Sequence, residues 1–304
     1  MINTKITSKL LVATITILVF FYSNIYGSKS IEESKTWEEV FKKEHVVDYP
    51  IIFIHGIGGG YKDWHRAANI ISSNNYFEMR FLEEGKVFHN YFGQKPTSSW
   101  VWNVSYYTID PINEIISGEL TKYSYRLKEL LKKISLITGK EKFVLVAHSM
   151  GGLVARKYMT LDQKCWDSVH KIITVATPHN GVETSIGVVG QLRDLRPESK
   201  FLKSLNKNWA KYDKTHKKWG IVAGVMNKDL NKVKYFSTDN AGIGYITISS
   251  AIPFEEWRKA IKKPFGKPQY NTDNFGYRVL VNANHIELLR QPATLEAIYW
   301  GITK

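Results

Sequence analysis

The stretch from Phe143 to Arg156 restricts the fold more than any other. Phe143-Val144-Leu145-Val146 is a continuous apolar run with no polar alternation, the pattern of a strand buried on both faces. It enters Ala147-His148-Ser149-Met150-Gly151-Gly152 directly and leaves as a helical stretch from Gly152 to about Met159. A strand can turn into a helix that sharply only if the side chains two positions before and after the central serine are small. Ala147 and Gly151 meet that need. The hydroxyl of Ser149 is then expected to project above the sheet at a helix N-terminus, where the helix dipole favours developing negative charge.

The rest of the chain repeats the same grammar. Ile51-Ile52-Phe53-Ile54, Val101 to Tyr107, Ile172-Ile173-Thr174-Val175, Trp219 to Val225 and Tyr277 to Val281 are short apolar runs. Between two of them, Glu119 to Ile137 carries Leu120, Tyr123, Leu127, Leu130, Leu131 and Ile134 at helical spacing, stopped by Thr138-Gly139-Lys140. Strands alternating with helices predict an α/β fold, with a mostly parallel central sheet and helices on both faces. At 304 residues, with 43% hydrophobic residues and neither repeats nor low-complexity tracts, residues 28–304 read as a single domain. Two long segments interrupt the alternation, near residues 61–100 and 181–218. Such insertions serve as binding loops or lids, and the aromatics of the first are expected either to bind an apolar chain or to pack on the core.

The first 27 residues are set apart. Lys5 and Lys9 precede a nearly unbroken apolar run, Leu10 to Tyr22, followed by Ser23, Asn24 and Gly27. This is the layout of a secretory signal peptide, with an uncut N-terminal anchor as the alternative. Export, periplasmic or extracellular, is the expectation. The single cysteine, Cys165, excludes an intramolecular disulfide and reads as a buried, inert thiol. Net charge is +14, but the lysines are dispersed in pairs such as Lys132-Lys133, Lys217-Lys218 and Lys262-Lys263. No basic helix or nucleic-acid motif concentrates them, so nucleic acid is not expected as a partner. An anionic membrane or cell-wall surface is.

A second chemical signal follows the first strand, in His55-Gly56-Ile57-Gly58-Gly59-Gly60. Glycines there let the backbone turn and present amides. Hydrolysis through a tetrahedral intermediate needs two backbone N–H donors for the oxyanion, one just after the nucleophile and one from this loop. Met150 and Ile57 are the candidates. A phosphate-cradling loop is the rival reading, but no Gly-Lys-Ser/Thr follows and the spacing does not fit the dinucleotide fingerprint.

With these segments in order, and with Thr177-Pro178-His179-Asn180-Gly181, Leu195-Arg196-Pro197-Glu198-Ser199 and Asn284-His285, the chain resembles the lipase and esterase branch of the α/β-hydrolases over most of Pro50 to Lys304. That resemblance implies the α/β-hydrolase fold with inserted cap or lid loops. It also implies hydrolysis of carboxylic esters, of acyl or lipid type, through an acyl-enzyme on Ser149 and without a redox cofactor. The family's chain order places the base last, which selects His285 among nine histidines. His55 and His179 read as structural, and His148 as pointing away from the reaction. The acid belongs between Ser149 and His285, after the strand Trp219 to Val225, where Asp239 and Asp229 both qualify. Asp239 is preferred because the segment through Ser249-Ser250-Ala251 follows it as in family members. No His-Glu-x-x-His pair or cysteine cluster predicts a metal. An amidase, a peptidase, an acyltransferase or a non-catalytic binding protein would share the same fold.

Overall fold

The computed structural model describes residues 48–303, apart from 97–98, 109–112, 115–116, 184–189, 217, 226–237, 241–244, 260–268, 271–275 and 282. The expected signal or anchor segment lies outside the described residues.

The sheet follows from the apolar runs. β1 (Ile51–Ile54), β4 (Val101–Ser105), β5 (Phe143–His148), β6 (Val169–Val175), β7 (Trp219–Gly224) and β11 (Gly276–Val281) fall where the sequence placed strands. With β2 (Phe77–Phe81), β3 (Val87–His89) and β10 (Gln269–Tyr270) they form one nine-stranded sheet. Its order is β10-β11-β7-β6-β5-β1-β4-β2-β3. The seven strands from β11 through β2 are parallel, and the two edge strands run antiparallel. A separate two-stranded ribbon joins β8 (Thr238–Asn240) to β9 (Tyr245–Thr247).

Both faces of the sheet are covered, as continuous apolar strands require. Ile52, Ile54, Leu145, Ala147 and Ile172 point into one core, under α2 (Leu120–Thr138) and α3 (Met150–Met159). Ile51, Phe53, Val144, Val146, Ile173 and Val175 point into the other, under α1 (His65–Ser72) and α9 (Pro292–Thr303). In α2 the helical spacing read from the sequence is the buried face, and Gly139, at φ 68°, closes the helix with its N–H donating to Ser135 O at 2.8 Å. Five further helices are described: α4 (Gln163–Asp167), α5 (Gly190–Asp194), α6 (Lys200–Tyr212), α7 (Ile248–Ala251) and α8 (Glu255–Lys259).

Residues 61–100, expected as a binding loop or lid, are instead built into the sheet. They supply a 3-10 turn at Tyr61–Trp64, then α1, β2 and β3. Most aromatics of this segment pack on the core, while Phe88 and Phe92 are exposed. Phe77, Tyr91 and Trp100 lie 5.0 to 6.3 Å from one another and from Trp102, while Trp64 lies on Phe53 and donates Nε1–H to Ile54 O at 3.0 Å. The sequence carried this signal, because Phe77, Met79 and Phe81 alternate with Glu78 and Arg80 and are the three inward positions of β2.

Strand order also fixes where a site can sit. β1 is flanked by β4 on one side and β5 on the other, with Ile54 level with both Val104 and Ala147. The loops after β1 and β5 therefore leave adjacent strands at the point where the winding reverses, the crevice in which open α/β sheets bind ligands.

Candidate active site

Ser149 stands at that crevice. It follows β5, caps α3 and has φ 52° and ψ −129°, a conformation that L-residues rarely adopt. The strain is held by neighbours: Ser149 N–H donates to Val175 O at 2.8 Å and Gly152 N–H to Ser149 O at 3.0 Å. The small residues of the elbow are needed for close approach. A Cβ on Gly151 would run into the carbonyl of His55, and one on Gly152 into the hydroxyl of Thr177. Met150 opens α3 immediately after Ser149, so its amide belongs to the first turn, where helix N–H groups have no partner within the helix.

The glycine loop after β1 lies against the nucleophile. A Cβ on Gly56 would stand 2.9 Å from Ser149 Cβ and 3.1 Å from His148 Nδ1, so these backbones touch. Gly56 to Gly59 form a turn closed by Gly59 N–H donating to Gly56 O at 3.3 Å. Gly58, at φ 66°, occupies the position of that turn that requires a left-handed backbone. Ile57 is buried beside it. His55 is fully buried, stacked on Tyr106 at 4.1 Å, and its Nδ1 donates to Gly56 O at 2.8 Å. Burial lowers its pKa to about 4, so it is a neutral bracket for the loop.

The structure brings His285 to the same place from the far end of the chain. Its ring lies 4.6 Å from that of His148, and its carbonyl accepts from His148 Nε2 at 3.0 Å. His148 therefore does what the sequence did not disclose: it pins the backbone of the residue expected to be the base. Desolvation holds His148 well below the usual imidazole range, and the neighbouring His285 adds to that. The turn carrying His285 is rigid for a local reason. Asn284 Oδ1 accepts from Glu287 N–H at 2.9 Å, while Glu287 Oε2 accepts from Asn284 N–H at 3.0 Å, a reciprocal capping box.

Asp239 sits in β8, opposite Ile246 of β9, and thus follows β7 in the chain as an acid must. Asp229 lies outside the described residues. β9 runs into α7, whose Ser249 and Ser250 have a role of their own. Asn180 donates Nδ2–H to Ser249 O at 2.9 Å and its backbone N–H to Ser250 Oγ at 3.1 Å, and Ser250 Oγ donates to Gly181 O at 2.6 Å. The β8–β9 ribbon is thereby tied to the loop after β6. His179, in that loop, is a packing residue: it is buried between Thr174 Oγ1 and Arg156 Nη1 at 3.2 and 3.4 Å.

Cys165 is remote from all of this, in α4, and burial raises its thiol to about 11, the state of an inert side chain. Among the described residues no group of three or more His, Cys, Asp or Glu is placed to hold a metal ion.

Comparison with known proteins extends the picture. A family model described as the PGAP1-like alpha/beta domain matches residues 45–241. The GPI inositol-deacylase of Kluyveromyces lactis is 26% identical over 232 residues, 68% of this chain and 22% of that protein. GPI inositol-deacylase B of Yarrowia lipolytica is 30% identical over 135 residues, 43% of this chain and 13% of its own. The chain thus spans under a quarter of the length of these relatives. Among solved structures, the product of the gene lin2722 from Listeria innocua superposes with a TM-score of 0.58 at 19% identity. The match covers 84% of this chain and 94% of that one. It shows the same fold.

Proposed function

The chain belongs to the family of the PGAP1-like alpha/beta domain, and from that premise we propose that it is a serine hydrolase that cleaves a carboxylic ester of a lipid. One observation carries the reading: the glycine loop packs on Ser149 while His148, the adjacent residue, holds His285. The strained serine, the glycine loop packed on it and the His148–His285 contact, from three distant parts of the sequence, support this reading.

In this reading Ser149 Oγ attacks the ester carbonyl and His285 takes the hydroxyl proton. The amides of Ile57 and Met150 hold the resulting oxyanion. Collapse expels the alcohol, which receives the proton from His285 and leaves the acyl group on Ser149. Water, deprotonated by His285, then releases the carboxylic acid and restores the serine. Asp239 keeps the His285 tautomer and stabilises the imidazolium.

The relatives are named as deacylases of GPI inositol. By that likeness the substrate here is an acyl ester on a lipid headgroup, reached at an anionic membrane or cell-wall surface to which a net charge of +14 is attracted. Among the described residues no helix is long and apolar enough to cross a membrane. The apolar run Leu10 to Tyr22 is read as the signal peptide or anchor of an exported protein.

The test is turnover of an acyl-chain-length series of esters, with matched amides, by wild type and Ser149→Ala. The reading expects ester hydrolysis that Ser149→Ala abolishes. Faster turnover of the amides would assign an amidase, and unchanged activity in the variant would end the serine mechanism.

A further inference from the structure

Tyr107 joins the glycine loop to the second insertion. Its hydroxyl, fully buried at the end of the β4 segment, accepts from Gly58 N–H at 3.3 Å and donates to Gln191 Oε1 at 2.8 Å. Gln191 lies on α5, within residues 181–218, and is itself fully buried. Only half of its amide is used. Gln191 Nε2 is shielded from solvent and has no hydrogen-bond partner.

A buried amide with an unused donor is a poor choice for stability. An apolar side chain of the same size would fill the space without leaving a polar atom stranded. The used half explains its presence. Without an acceptor at Oε1, the Tyr107 hydroxyl has nothing to donate to and no reason to turn its lone pair toward Gly58. Gly58 is the left-handed residue of the turn, and the peptide joining it to Ile57 sets the direction of the loop's amides. The rest of Tyr107 is locked: its ring meets His55 edge-on at 4.8 Å, Tyr106 at 5.0 Å and Tyr123 at 5.3 Å. The one freedom left to it is rotation of the hydroxyl, and Gln191 removes that.

We propose that Gln191 is a positioning residue for the oxyanion loop, acting through Tyr107 to fix the Gly58 N–H and, through the adjoining Ile57, the direction of the Ile57 N–H that would meet the oxyanion. The proposal rests on the serine-hydrolase reading above. It makes the second insertion part of the catalytic apparatus rather than a mere cover. The effect is specific to the state that carries the oxyanion, because the loop amides meet a full negative charge only there.

The test uses the full chain with a soluble ester. Gln191→Met removes the acceptor at nearly constant volume, Tyr107→Phe removes the relay and keeps the ring, and the double variant removes both. Loss of one oxyanion donor costs about 10²–10³ in kcat, so loosening one is expected to cost roughly tenfold. KM should stay within about twofold, as befits an interaction made only in the transition state. Affinity for a trifluoromethyl ketone, which forms an oxyanion on Ser149, should fall by the same factor as kcat. The double variant should be no worse than either single one. Gln191→Glu, which retains an acceptor oxygen, should recover most of kcat. Unchanged kcat in Gln191→Met, a loss confined to KM, or losses that multiply in the double variant would overturn the proposal. Should Gln191→Met not fold, Tyr107→Phe and Gln191→Glu still decide: normal kcat in Tyr107→Phe, or no recovery in Gln191→Glu, refutes it. Activity that survives Ser149→Ala would instead indict the underlying reaction, a different failure.

Discussion

Replacing Gly56 with alanine tests the contact on which the site depends. Gly56 does not occupy the left-handed region, so its backbone accepts a side chain and the cost is steric. The new Cβ would lie 2.9 Å from Ser149 Cβ, against the 3.4 Å at which ordinary contact begins. Two pieces of main chain must therefore separate by about half an ångström. Overpacking of this kind costs about 1–3 kcal/mol, and loss of glycine's freedom in the unfolded chain returns about 0.4–1 kcal/mol. A net destabilisation of roughly 0–2.5 kcal/mol should lower Tm by no more than about 10 °C in a domain of this size. Catalysis should suffer more. A 1 Å misplacement costs on the order of 10²-fold, so half of that is expected to lower kcat about tenfold, well below Tm. Gly60→Ala is the control. A Cβ there meets nothing within 4 Å and the backbone is extended, so activity should match wild type and Tm should rise slightly, by about 1–4 °C, from the lost unfolded-state freedom alone. The assay is kcat on a soluble ester with parallel thermal melts by circular dichroism. Wild-type kcat in Gly56→Ala would refute the packing of the glycine loop on Ser149.

Asp239→Asn is expected to lower kcat by on the order of 10²–10⁴ through loss of tautomer control, with Asp229→Asn nearly silent; steady-state kinetics of both variants checks the pair, and the reverse result would move the acid to Asp229. His148→Phe keeps a ring against Trp64 and His285 but drops the donor to the His285 carbonyl. It should cost on the order of 10- to 100-fold in kcat without unfolding the protein, measured alongside a denaturant melt. Asp63 supplies a pH test. Its carboxyl fills the space beside Gly59, and burial pushes it up from 3.8 to about 7, with the Gly60 amide partly offsetting this. The folded state thus holds a proton that the unfolded chain releases. The associated stability is full below about pH 4 and is lost as pH rises through about 7. Asp63→Asn should therefore gain on wild type in urea melts at about pH 8 relative to about pH 5, and parallel curves would contradict the assignment.

What the sequence disclosed is what local chemistry dictates. The elbow around Ser149 announces itself because a strand, a small-residue turn and a helix are contiguous in the chain. The parallel sheet does so because Ile51–Ile54, Phe143–Val146 and Ile172–Val175 have no polar alternation. β2 was legible in principle from its period of two, yet its phenylalanines looked like lid aromatics when counted rather than spaced. His148 and Gln191 were not legible. Their roles arise from contacts with residues 137 and 84 positions away, which no local pattern encodes. Ser249 and Ser250, read from the sequence as a guide to the acid, fasten the loop after β6 in the structure.

The central claim is that Ser149 is an activated nucleophile. Its most direct test is to react the folded protein with a fluorophosphonate and locate the adduct by tandem mass spectrometry. A single adduct on Ser149 is expected, absent in Ser149→Ala and formed far more slowly in His285→Ala. No adduct on the folded protein, or modification of a different serine at the same rate in Ser149→Ala, would contradict the account.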